Sequence, residues 1–198
     1  MKNQGVKWLV VLISLTVIIG LTIFFIRKDK HPTTAYTGAA SDSATIESEI
    51  NNNWTGIDPN LPMDTYEELK DSNLKVQTGP DYAIYSIKEA VLFAPGQSSI
   101  GESAAEKLEQ ISSSAEKRFA GGPIRIYGYT DSTGTLAENK VLAEKRVRAV
   151  KDWLIQSGNI NSSRISTSPV GEHHPISSND SERERKYNRR VEIVIRKR

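Results

Sequence analysis

Residues 124–150 read IRIYGYTDSTGTLAENKVLAEKRVRAV. Ile124, Ile126 and Gly128 alternate with Arg125, Tyr127 and Tyr129, the period of a β-strand. Thr130-Asp131-Ser132-Thr133-Gly134 then breaks the alternation. From Leu136 to Gln156 the apolar positions recur at helical spacing, until Gly158 stops them. With Arg146 as origin, Asn139, Leu142, Ala149, Val150 and Trp153 lie at about +20°, −40°, −60°, +40° and −20° around the helix. Arg146 therefore sits in the middle of the apolar stripe, while Lys140, Glu144, Lys145 and Arg148 lie off it. A guanidinium turned toward a core is costly unless it is paired or faces a polar pocket. A structural Arg–carboxylate pair, a side chain snorkelling to the rim and a ligand-facing cation are all open on this spacing. Asp131 is the expected partner. It follows the C-terminal end of the strand, where ligand sites of α/β units gather, although Asp is also a common turn or cap residue.

Outward from this segment, Leu74–Gln77, the turn Thr78-Gly79-Pro80-Asp81 and Tyr82–Ile87 read as a strand, a turn and a strand. Val91-Leu92-Phe93 is a short apolar run before Pro95-Gly96. Glu102–Phe119 has helical spacing, with Ala104, Leu108, Ile111 and Ala115 on one face and Gly121-Gly122-Pro123 at its end. Ile165–Val170 and the alternating Val191, Ile193 and Ile195 read as two more strands. Strands alternating with helices predict a sheet with helices packed on one side.

The N-terminal third differs in kind. Trp8–Ile26, WLVVLISLTVIIGLTIFFI, carries no charge and as a helix spans roughly 28 Å, near a bilayer's hydrocarbon thickness. Lys2 and Lys7 precede it, and Arg27, Lys28 and Lys30 follow. A cleaved signal peptide has a shorter apolar core with a small-residue site just after it, so a retained single-pass anchor is the reading adopted. Residues 31–80 hold two basic and eight acidic side chains, net −6, between an N-terminal block of +4 and a C-terminal block of +4. Residues 27–65 read as a flexible acidic linker, within which Ile46, Ile50 and Trp54 recur at four-residue spacing. The domain is placed at 66–198.

The 198 residues include no cysteine, which excludes disulfides, thiolate metal sites, a cysteine nucleophile and a lipid-modified cysteine. Net charge is only +2, a weak basis for nucleic-acid binding. Arg183, Arg185, Lys186, Arg189 and Arg190 are interleaved with Glu182, Glu184 and Glu192, and a terminal strand accounts for that alternation. Three histidines, His31, His173 and His174, are too few and too scattered for a metal centre. No Ser–His–Asp or paired-carboxylate arrangement stands out, so no enzyme, cofactor or metal is expected.

Gly128-Tyr129-Thr130-Asp131-Ser132-Thr133-Gly134, followed by Asn139, Leu142 and Arg146, resembles the central signature of the OmpA-like C-terminal domain family, G-H-T-D-x-x-G and then N-x-x-L-S-x-x-R-A. Glu184–Ile193 resembles its closing G-R-A-x-N-R-R-V-E-I, and Val91–Ile100 resembles its opening strand and turn. The likeness covers about residues 82–198. Tyr129, Ala143, Val147 and Glu184 stand where the family has His, Ser, Ala and Gly. The resemblance implies an α+β fold, a βαβαβ(β) sandwich with helices on one mixed sheet. It implies non-catalytic, non-covalent binding of peptidoglycan through the diaminopimelate of its stem peptide. Asp131 would take the ammonium and Arg146 the carboxylate, Thr130, Asn139 and Leu142 would line the pocket, and Arg185 and Asn188 would add a wall or a supporting bond.

Because peptidoglycan lies outside the cytoplasmic membrane, the resemblance also orients the chain. Residues 1–7 are then cytoplasmic, 8–26 cross the inner membrane and the domain is periplasmic. Flagellar stator proteins share this layout, but no carboxylate falls within Trp8–Ile26 to conduct ions. A passive wall tether and a wall-gripping subunit of a secretion or motor-like complex both remain open, as do contacts with envelope-complex proteins and a homodimer. A cell-wall hydrolase is disfavoured.

Overall fold

The computed structural model describes residues 54–69 and 73–198. Its elements, in chain order, are β1 (Met63–Asp64), β2 (Leu74–Thr78), β3 (Tyr82–Lys88), the one-turn helix α1 (Glu89–Leu92), α2 (Glu102–Phe119), β4 (Ile124–Tyr129), α3 (Leu136–Gln156), β5 (Ile165–Gly171), α4 (Glu182–Asn188) and β6 (Arg190–Arg196). The strands form one mixed sheet in the order β1-β2-β3-β6-β4-β5. β4 and β5 run parallel, and every other neighbouring pair is antiparallel. This is the α+β arrangement of helices on a mixed sheet that the family resemblance implies.

Period-two alternation sorts the strand residues onto two faces. Ala83, Tyr85 and Ile87 of β3, Val191, Ile193 and Ile195 of β6, and Ile124 and Ile126 of β4 share a core with Leu108, Ile111 and Ala115 of α2 and Val147, Val150 and Leu154 of α3. The opposite face carries a smaller cluster of Trp54, Tyr82, Ile84 and Val194, with Ile57, Leu61 and Tyr127 against it. The Asp58 amide donates to the Tyr82 hydroxyl at 2.8 Å, and Gln77 Nε2 donates to the Leu61 carbonyl at 2.7 Å.

Three expectations change. The linker was expected to run through residue 65, yet Trp54 is buried and β1 pairs with β2, so residues 54–65 pack on the sheet. The run after β3 is not a continuing strand: Glu89–Leu92 makes a helical turn. Residues 182–188 are helix α4 rather than strand, started by a capping box between Ser181 and Glu184. The expected membrane span at 8–26 lies outside the described residues. Among the described residues no helix is long and apolar enough to cross a membrane.

Gly128 sets the spacing of β4 and α3. A Cβ there would lie 2.6 Å from Val147 Cγ1 and 3.1 Å from the Ala143 carbonyl. Glycine allows the helix to lie this close to the strand, and that close approach fixes the height of Arg146 above the sheet.

Candidate functional site

The chain leaves β4 through Thr130 and Asp131, both buried. The Thr130 amide donates to the Gly171 carbonyl at 2.8 Å, holding the bend beside the end of β5. Asp131 Oδ1 accepts from the Thr133 amide at 2.9 Å, and Asn139 Nδ2 donates to the Asp131 carbonyl at 3.2 Å. Asn139 also donates to Glu172 at 2.6 Å. Helix α3 then starts cleanly, because Thr135 and Glu138 form a capping box. The aspartate is thus presented on a bend fixed from both sides.

Arg146 is 3 % exposed, as its place in the stripe predicted. Its position within the stripe is corrected. The buried face of α3 is Asn139, Ala143, Arg146, Val147, Val150 and Leu154, while Leu142, Ala149 and Trp153 are half-buried. The centre of that face lies roughly 50° from Arg146, which leaves the guanidinium at its margin. The expected direct Asp131–Arg146 pair does not form. Arg146 Nη2 instead donates to Glu89 Oε1 at 2.5 Å, and its guanidinium lies 5.5 Å from the centre of the Phe93 ring.

Arg189 links the two halves. It donates through Nη1 to Asp131 Oδ2 and through Nη2 to Glu182 Oε1, the latter at 2.5 Å, and its Nε lies 3.8 Å from Glu89 Oε2. Two guanidiniums therefore face three carboxylates along the path Asp131–Arg189–Glu89–Arg146, with Glu182 at the solvent edge. Burial pushes the Asp131 carboxyl up, but the Thr133 amide and the Arg189 guanidinium outweigh it and hold its pKa below the ordinary value. Burial lowers the pKa of Arg146, against the pull of Glu89. Burial also opposes the charge on Arg189, but the bonds it donates to Glu182 and Asp131 prevail and raise its pKa.

The network is incomplete. Five buried side-chain polar atoms among the described residues have no hydrogen-bond partner, and three of them belong here: Thr130 Oγ1, Glu89 Oε2 and Arg146 Nε. Buried polar atoms are nearly always hydrogen-bonded, so the network keeps bonding capacity that its own side chains do not use. A cavity of about 750 Å³ opens beside the network, lined by Glu89, Phe93, Pro95, Ser103, Glu182 and Arg189 among others. Asp131 and Arg146 sit one residue behind this lining, reached past Arg189 and Glu89.

The other expected site residues are placed as follows. Leu142 is half-buried on α3. Arg185 donates to the Asn179 carbonyl at 2.9 Å and to Glu182 at 3.2 Å, outside the Asp131–Arg146 path. Asn188 is fully buried. It accepts from the amides of Ile176 and Ser177 at 3.0 Å each and donates to the Ser177 carbonyl at 2.9 Å and Asn179 Oδ1 at 3.0 Å. Asn179 Oδ1 in turn accepts from the Ser132 amide at 3.3 Å, so Asn188 steadies the bend that carries Asp131. Glu89 and Arg189 were not singled out from the sequence. Glu89 lies 57 positions from Arg146, and Arg189 was visible only as one cation in a basic run. Among the described residues no group of three or more His, Cys, Asp or Glu is placed to hold a metal ion.

A family model described as the OmpA family matches residues 92–189. The putative lipoprotein YfiB of Escherichia coli (strain K12) is 33 % identical over 111 residues, covering 55 % of this chain and 68 % of that protein. The chain belongs to the OmpA family. The peptidoglycan-binding protein ArfA of Mycobacterium tuberculosis (strain ATCC 25618 / H37Rv) is 40 % identical over 72 residues, covering 36 % of this chain and 22 % of that one. Of three further relatives the chain spans 58 %, 23 % and 34 % of their own length. Among solved structures, the periplasmic domain of Helicobacter pylori MotB superposes with a TM-score of 0.57 at 26 % identity, over 65 % of this chain and 82 % of that one.

Proposed function

We propose that this domain binds peptidoglycan non-covalently, by gripping the zwitterionic end of diaminopimelate in a stem peptide. The ligand's ammonium goes to Asp131 and its carboxylate to Arg146, which can hold it through a planar two-point fork. Thr130, Asn139 and Leu142 support the pair from behind the cavity, Asn139 by fixing the backbone of Asp131. Arg185 and Asn188 act through the Asn179 loop and Glu182 rather than on the ligand. The carrying observation is a carboxylate, Asp131, and a guanidinium, Arg146, both buried and linked only through Arg189 and Glu89, with Arg146 Nε and Glu89 Oε2 left without a hydrogen bond. A ligand bearing both a donor and an acceptor completes that set, and no bond-making chemistry is required of it. Membership of the OmpA family and the likeness to ArfA support the same reading. With residues 8–26 as a single-pass anchor in the inner membrane and 27–53 as tether, the domain grips the wall from the periplasm. The likeness to the MotB periplasmic domain favours a second form of this reading, in which the same grip anchors a membrane-embedded machine.

The test is co-sedimentation of the detergent-solubilised chain with purified peptidoglycan containing diaminopimelate. Asp131→Asn is expected to weaken retention at least tenfold, since a charge-assisted hydrogen bond contributes roughly 1.5–3 kcal/mol. Near-UV circular dichroism checks that the fold is kept. Wild-type retention by a folded Asp131→Asn protein refutes the site.

A further inference from the structure

Arg189 occupies the place that the proposed ligand needs. Its Nη1 already sits on Asp131 Oδ2, and it is part-exposed where Asp131 and Arg146 are buried. Any cation approaching Asp131 from solvent must displace it. It also reaches two further carboxylates, Glu182 Oε1 at 2.5 Å and Glu89 Oε2 at 3.8 Å, so it can leave Asp131 without losing every partner. Its backbone is held throughout, because its carbonyl accepts from the Glu89 amide at 3.0 Å. The mobile part is therefore the side chain alone, pivoting at the junction of α4 and β6.

We infer that Arg189 is an exchange residue that makes the site selective for ligands carrying both charges on one tip. The inference rests on the reading of the site given above. In the empty site, Arg189 stands in for the ligand's ammonium on Asp131. When a zwitterionic tip enters, its ammonium takes Asp131 and its carboxylate takes the freed Arg189 guanidinium together with Arg146. One internal ion pair is replaced by two between protein and ligand, and no charge is left unpaired. A tip bearing only an ammonium, as on a lysine-type stem peptide, expels Arg189 from Asp131 and offers it nothing in return. Taking one carboxylate from a partly buried guanidinium and giving none back is unfavourable, so the amine-only ligand is disfavoured even though Arg189 keeps Glu182 and Glu89. Specificity then comes from a penalty against the wrong ligand as much as from attraction to the right one.

The experiment measures binding of two synthetic stem peptides to the full chain in detergent, one ending its third side chain in diaminopimelate and one in lysine. The wild type is expected to prefer the diaminopimelate peptide by tenfold or more, since that peptide makes one more charge-assisted hydrogen bond and gives the displaced guanidinium a carboxylate in place of Asp131. Arg189→Gln removes both the stand-in and the extra carboxylate-binding group. It should weaken the diaminopimelate peptide and strengthen the lysine peptide, collapsing the ratio toward unity. Arg189→Lys keeps the charge and should retain part of the preference, which separates exchange from loss of fold. A wild-type ratio preserved in folded Arg189→Gln overturns the exchange role while leaving the site intact. Failure of the wild type to bind either peptide overturns the functional reading and this inference together.

Discussion

Glu68 meets Arg118 through two hydrogen bonds, of 2.5 and 3.1 Å, whereas Asp131 meets Arg189 through one. Around Glu68 no buried side-chain polar atom among the described residues is left without a hydrogen bond. Ser114 Oγ lies 2.8 Å from Glu68 Oε1 and 2.9 Å from the Tyr85 hydroxyl, and the Arg118 guanidinium stacks 3.5 Å from the centre of the Tyr66 ring. On Thr130, Glu89 and Arg146, three buried polar atoms make no hydrogen bond. Both clusters join a helix to the rest of the domain with similar side chains. One is closed; the other is left short of partners, as the proposed binding requires. Completeness of hydrogen bonding, rather than the presence of buried charge, separates the two roles.

The widest separation between the clusters is expected from a matched pair of truncations. Arg146→Ala should abolish sedimentation with peptidoglycan, a loss of about a hundredfold or more, because it removes the ligand's partner and strands Glu89. Arg118→Ala should leave binding within about twofold but lower unfolding free energy by about 1–2 kcal/mol, discounted for its exposure. Equal binding losses in denaturant-titrated, folded samples would erase the distinction.

Acid supplies the next test. The Arg118 hydrogen bond holds the Glu68 carboxyl down to about 2, from an ordinary 4.5. A carboxylate depressed in the folded state contributes stability that is full above its unfolded value and is lost as pH falls through the folded one. Stability should therefore drop between pH 4.5 and about 2, and Glu68→Gln should flatten that part of the curve in thermal melts. An unchanged slope would mean that Glu68 is not the closed cluster's acid-sensitive member.

The smallest effect is expected at the solvent edge of the open cluster. Glu182→Gln loosens the outer hold on Arg189 and should raise affinity for the diaminopimelate peptide only about two- to fivefold, as befits an exposed ion pair. A fall in affinity, read by calorimetry, would assign Glu182 to the ligand itself.

The sequence made the regular elements legible because each carries its own period. The 3.6-residue spacing of Ala104, Leu108, Ile111 and Ala115 and the alternation at Ile124–Tyr129 are local signals, and α2 and β4 have the predicted ends. Helix α4 was misread because seven consecutive polar or aromatic residues carry no apolar period. Its start was nonetheless written in Ser181-Glu182-Arg183-Glu184, a capping-box pattern. At the site, Asp131 and Arg146 could be picked out because one sits on a bend and the other on an apolar face. Their true counter-ions could not, because Glu89 and Arg189 are brought in by the packing of β3 beside β6. Trp54 was lost among linker residues for the same reason: its partners Tyr82, Ile84 and Val194 come from two distant strands.

The position of β6 has a consequence for assembly. It is the last of the described elements along the chain, yet it lies in the middle of the sheet, between β3 and β4. A polypeptide emerging from the ribosome can make the β2–β3 hairpin and the β4–α3–β5 unit early, but it cannot join them until residues 190–196 have been synthesised. Closing a ladder between strands some hundred residues apart is slow, and until then the facing edges of both halves remain open to unwanted pairing. Maturation of this domain is thus gated by its own final strand, and a nascent chain truncated within that strand would be two sticky fragments rather than a weakened whole.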